Sequence, residues 1–309
     1  MKNLTLNISN IVLAGLVLSV LCSGVTIPGY AQEQPINDMI KSGVERGIDE
    51  SMLAELKTRS ESRGITQQQL RNILASALEL ASDNLPSEHI IQKALEGMSK
   101  GVPDTRIASV IDRMNQSTRH ASQVIDPWME LPRVRQMVNR SGPSGQQTRV
   151  RNQMIEASAR AITQDVPAES IGRMLEDLNN DVIMDNSSPS DIAAAINILP
   201  DLSAGQQPDM ARGVVVRALK GGFKGADLQK LPMAVNMAQQ RSQIPAAAVL
   251  QGVSKQLQAG TPAAQVLQNL FNGTIGGGPP GNSPRGLQDN PGQGNRGQGQ
   301  GQGQGRGNN

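Results

Sequence analysis

Aliphatic residues recur along the chain with the spacing of one helical face. Leu70, Ile73, Leu74, Ala77, Leu78 and Ala81 stand at i, i+3, i+4, i+7, i+8 and i+11, which predicts an amphipathic helix with one apolar stripe. Ile107, Val110, Ile111 and Met114 repeat the pattern. So do Ile171, Met174, Leu175 and Leu178, then Ile192, Ala195, Ile196 and Leu199, then Val266, Leu267 and Leu270.

These stripes are introduced by a recurring phrase: a turn residue, an aliphatic residue, often Pro, three mostly polar or small residues, then the next stripe. It reads Gly64-Ile-Thr-Gln-Gln-Gln-Leu70, Asn84-Leu-Pro-Ser-Glu-His-Ile90 and Gly101-Val-Pro-Asp-Thr-Arg-Ile107. It returns as Asp165-Val-Pro-Ala-Glu-Ser-Ile171, Gln243-Ile-Pro-Ala-Ala-Ala-Val249 and Gly260-Thr-Pro-Ala-Ala-Gln-Val266, with weaker copies at Gly47, Asp185 and Gly222. Thr66 and Gln69 have capping-box spacing. Pro262 falls at a first helical position. Gly47, Gly64, Gly101 and Gly260 suit left-handed helix ends.

Phrases beginning at Gly47, Gly64, Asn84 and Gly101 are 17, 20 and 17 residues apart; those at Gly222, Gln243 and Gly260 are 21 and 17 apart. A lone amphipathic hairpin cannot bury its own stripe, whereas stacked hairpins share a core. The expected fold is therefore all-α: repeated helical hairpins, α-solenoid-like, with a period of about 37 residues. An irregular helical bundle is the alternative.

The rhythm breaks once. Gly101 and Asp165 are 64 residues apart, which does not fit two such units. Between them lie Pro127, Pro132 and Ser141-Gly-Pro-Ser-Gly145, all strong breakers. The expected organisation is an N-terminal helical half over 32–126, a hinge over 127–146 and a C-terminal helical half over 147–272. From Gly273 the apolar periodicity gives way to Gly/Gln alternation, and 273–309 reads as a disordered tail.

The first residues have the layout of a secretory signal peptide: Lys2, an uncharged apolar run over Ile11 to Leu21, then the small-residue ending Gly29-Tyr30-Ala31. Cleavage after Ala31 is expected, which makes the protein exported, periplasmic or extracellular. The apolar run is too short for a membrane anchor, and no membrane span is expected in the mature chain. Removing the leader also removes Cys22, the single cysteine, so disulfides and thiolate metal sites are not expected.

Composition narrows the chemistry. The formal charge is only +2, and the aromatic residues are one Trp, one Tyr and two Phe. Nucleic acid is therefore not an expected partner, since it calls for a basic face or stacking platforms. His89 and His120 fall beside the apolar stripes without other ligands at metal-site spacing, and both read as surface residues. No Gly-x-Ser-x-Gly elbow or phosphate-binding loop appears. No cofactor, metal or catalytic residue is expected.

The distinctive stretch is Leu131 to Ile155, which carries Arg133, Arg135, Arg140, Arg149 and Arg151 and no acid, just after Trp128. Trp and Arg are frequent binding hot spots, and guanidinium forks suit carboxylates or phosphates. These six residues form the expected partner-binding surface; a solvated helix face with Trp128 closing the core is the plainer reading. The expected function is a non-enzymatic helical-repeat scaffold that binds another protein outside the cytoplasm. The alternatives are a peripheral envelope protein that binds anionic lipid or polymer through the Arg-rich segment, and a hydrolase with an unrecognised site.

Overall fold

In the computed structural model, residues 35–142, 146–203 and 208–275 are described, and among them every regular element is an α-helix. The expected signal peptide and the chain beyond Ile275 lie outside the described residues. The helices are α1 Ile36–Glu45, α2 Glu50–Arg63, α3 Gln67–Ser82, α4 Glu88–Ser99, α5 Asp104–Met129, α6 Pro132–Arg140, α7 Gln146–Thr163, α8 Ala168–Leu178, α9 Asp181–Asn186, α10 Pro189–Asn197, α11 Leu199–Ser203, α12 Pro208–Lys220, α13 Gly225–Ser242, α14 Ala246–Gln258 and α15 Ala263–Phe271.

The recurring phrase is a helix-to-helix turn. At Gly47, Gly64, Asn84, Gly101, Asp165, Gly222, Gln243 and Gly260 the backbone is left-handed, with φ between 55° and 86°. After all of these but Gln243 the next residue reaches back five positions: Ile65 N donates to Ser60 O at 3.0 Å, Leu85 N to Leu80 O at 2.9 Å, Val102 N to Gly97 O at 3.0 Å and Val166 N to Ala161 O at 3.1 Å. This is the Schellman arrangement, which satisfies carbonyls that the helix end leaves open. It also turns the aliphatic second residue inward, so Ile48, Leu85, Val166 and Phe223 are buried.

Proline then starts the next helix. Pro103, Pro167, Pro245 and Pro262 are N-caps with φ near −60° and ψ of 137° to 148°. Pro262 therefore sits one residue before the expected first helical position, because its ψ is extended and the helix opens at Ala263. The phrase at Asp185 is not such a turn. Asp185 lies inside α9, and α10 is opened by a capping box between Ser188 and Asp191. A further turn lies where the tail was expected to begin: Gly273 is left-handed, Thr274 N donates to Asn269 O, and Ile275 is buried.

The helices pack in two sets of neighbours. In one, α1, α3, α5, α7, α10, α13 and α15 each lie against the next; in the other, α2 lies against α4, and α8 against α12 and then α14. The second set is interrupted. Between α4 and α8 stands α5, whose 26 residues touch both, and α4 and α8 share no extensive contact. The contact of α5 with α7 is the largest between any two helices among the described residues.

The segment expected as a hinge carries the last turn of α5, all of α6 and the start of α7. Pro127 does not end α5, which runs through it to Met129. Proline so near a helix end deprives one carbonyl of its partner and little else. Pro132 instead opens α6, where its missing N–H costs nothing.

Candidate ligand cleft

The predicted partner-binding residues are dispersed into internal contacts. Trp128 is 5% exposed, and its indole N–H donates to the Leu175 carbonyl at 3.1 Å, clamping α5 to α8. Arg151 grips both carboxylate oxygens of Asp126, at 2.6 and 2.8 Å, and also donates to the Asn84 carbonyl at 2.8 Å. Arg133 pairs with Asp181 and Arg135 with Glu130. Arg140 reaches the Met184 carbonyl at 2.6 Å and Asp185 at 3.4 Å. Arg149 is exposed and joins none of these pairs. The answering carboxylates lie outside the acid-free stretch, which is why the sequence reads that stretch as open positive charge.

A cleft of about 420 Å³ opens where the second set of helices is interrupted. One wall is α4, with His89, Lys93 and Glu96. Met114 of α5 contributes to the lining, and the opposite wall is the C-terminal part of α7, with Glu156 and Arg160. A second depression of about 300 Å³ shares Lys93 and Glu96 with it and continues between α4 and α5 over Val102 and Val110.

His89 differs from expectation: it is half-buried against α5, whereas His120 is exposed as predicted. The Thr118 hydroxyl donates to the Met114 carbonyl at 2.8 Å, so its oxygen accepts from His89 Nε2 at 3.0 Å. That fixes the tautomer with the proton on Nε2 and leaves Nδ1 as an acceptor. Nδ1 is shielded from solvent and meets no donor among the described residues. Burial, helped by the nearby Arg160 guanidinium, pushes the imidazole pKa down to about 4. Sequence spacing placed His89 beside the stripe correctly; what it could not show is that α5 covers that side of α4.

Across the cleft, partial burial raises the Glu156 carboxyl, opposed by Arg160 and assisted by Glu88. Glu96 lies between Lys93 at 2.8 Å and Lys100 at 2.5 Å. Hydrogen bonds from Lys100 and then Lys93, with their charges, hold its pKa down at about 2. Each lysine keeps further N–H donors beyond the one it gives Glu96. Arg160 is exposed, and no ion pair engages it among the described residues.

The cleft can hold a ligand by charge and hydrogen bonding. No group of three potential metal-ligating side chains occurs among the described residues, and no described helix is long and apolar enough to cross a membrane. Comparison with protein-family models, curated proteins and solved structures finds no match.

Proposed function

We propose that this protein is an exported, non-enzymatic scaffold of stacked helical hairpins that binds another protein through the cleft between α4 and α7. The carrying observation is the interruption of the α2–α4 and α8–α12–α14 neighbours at the cleft. It falls within the stretch from Gly101 to Asp165 where the sequence rhythm is broken. A continuous stack buries its helices' sides, whereas an interruption exposes a concave flank of α4 to a partner.

Two further features support the reading. Neighbour contacts between helices two to four places apart fit an α-solenoid-like arrangement. Among the described residues large exposed apolar side chains are few, with Val44, Val182 and Met233 at 38%, 48% and 57%, which fits a reversible polar contact better than an obligate apolar interface. The signal-peptide-like sequence before Gln32 supports a binding event in the periplasm or outside the cell.

The test is affinity capture from envelope extract with the full chain and with Gln92→Trp, a bulky substitution at an exposed position of the cleft wall. The expected outcome is a partner held by the unmodified chain and lost from the variant at unchanged helicity. Equal recovery by both removes the cleft from the proposal. A second contact remains at the Arg-rich segment, because Arg133, Arg135 and Arg140 stay 50%, 56% and 45% exposed despite their pairs. Replacement of those three by Gln in the same capture reports on it, and salt-sensitive retention on anionic envelope material would mark the peripheral-envelope alternative.

A further inference from the structure

Cations outnumber anions along the cleft and the depression that continues it. Lys93, Lys100, Arg106 and Arg160 stand against Glu96 and Glu156. Glu96 is already committed to two lysines. The positive charge left over borders a patch of a different kind, since Val102, Ile107, Val110 and Ile111 line the second depression. Charged side chains of α4 and α7 thus border an aliphatic patch, formed by α5 and the turn before it, along one side of α4. Its 12 residues span about 18 Å, the reach of roughly five or six residues of extended chain.

We propose that this groove takes an extended acidic segment of a partner protein, with carboxylates on Arg160 and Lys93 and an adjacent aliphatic side chain over Val102 and Val110. The assignment rests on the cleft being the partner site. Among the groups an unmodified protein segment can offer, carboxylate answers both a guanidinium fork and lysines with spare donors. The aliphatic seat supplies register, because an acidic chain without an apolar residue leaves it open to water. The protein's own C-terminal segment is a poor occupant, since Arg285, Arg296 and Arg306 against Asp289 give it the same sign as the groove.

The experiment is fluorescence anisotropy with the full chain and three labelled hexapeptides: Asp/Glu interspersed with Leu and Val, Asp/Glu with Gly and Ser in place of the aliphatics, and a Lys/Arg counterpart of the first. The first is expected to bind at least tenfold more tightly than either of the others and to weaken as salt rises. Arg160→Gln and Lys93→Gln should each reduce that binding about five- to tenfold, and Val110→Ser should erase the preference for aliphatics. Lys255→Gln, at an exposed position of α14, should leave it unchanged. Binding of the basic peptide in preference, binding indifferent to Arg160 and Lys93, or no saturable binding of the acidic peptides up to millimolar concentration overturns the proposal. If capture of a protein partner still depends on Gln92 while all acidic peptides fail, the cleft remains the contact and only its acidic ligand class falls.

Discussion

His89 shows how a single side chain can be held in one protonation state by its hydrogen bonds. Its Nε2 proton is used on Thr118, and its Nδ1 lone pair faces no donor and no solvent. Protonation would therefore place a charge where neither water nor a carboxylate receives it, with Arg160 nearby to repel it. The folded-state pKa of about 4 lies below the ordinary 6.5, so between those values the unfolded chain binds the proton and the folded chain does not. Stability from this residue is complete above pH 6.5 and is lost as pH falls toward 4. The loss is on the order of 2 kcal/mol after allowing for the part of the ring that solvent still reaches. Glu156, whose pKa is raised, works in the opposite sense and is lost as pH rises, so the two must be separated. Urea unfolding at pH 7 and at pH 4.5 should show His89→Gln losing less stability on acidification than the unmodified protein. An identical loss in both would mean that another group carries the acid sensitivity.

Among the elements, the helix ends were the most legible in the sequence, and the reason is locality. A Schellman turn is decided by six successive residues, and the left-handed position selects Gly, Asn or Asp by backbone sterics alone. Gln243 is the exception, with φ of 57° at an exposed position ending α13. A Cβ there costs roughly 0.5–1 kcal/mol that glycine avoids, partly offset by the extra freedom glycine brings to the unfolded chain. The side-chain bond from Gln243 to the Gln240 carbonyl is solvent-accessible and adds little. Gln243→Gly should raise the thermal midpoint by about 1–3 °C; a lower midpoint would show that the glutamine does more than end a helix. Less legible were α6, α9 and α11, which are too short for a stripe to declare itself. The cross-chain pairs were not legible at all: Arg151 meets Asp126 and Asn84, and Trp128 meets Leu175, partners far apart in sequence that no local spacing announces. The same limit hid the cleft, whose walls are helices α4 and α7 with α5 between them. The broken rhythm between Gly101 and Asp165 was visible, but not what the break would open.

At the scale of the whole molecule, the break in the rhythm can either divide the helical body or tie it together. A chain of nearest-neighbour contacts unfolds in separate parts when one interface is weak and as a unit when every interface is strong. Two independent halves meeting at residues 127–146 would require a weak joint. The contacts around that segment are the opposite: α5 packs along α7, Trp128 bonds to α8, and the Arg151–Asp126 pair is bidentate with a third bond to the turn before α4. Because α5 also touches α3 and α4, one helix carries contacts to both sides of the break, and the described residues from Ile36 to Ile275 cluster as one compact unit. Ile125 sits fully buried in α5 near this crossing, and trimming it to alanine removes about 2–5 kcal/mol. In a single cooperative unit that loss moves the entire unfolding curve. Far-UV circular dichroism on heating should accordingly show one transition, shifted as a whole to lower temperature by Ile125→Ala. Two separated transitions, with only one displaced by the substitution, would restore the hinge and make the cleft a site between independently stable halves.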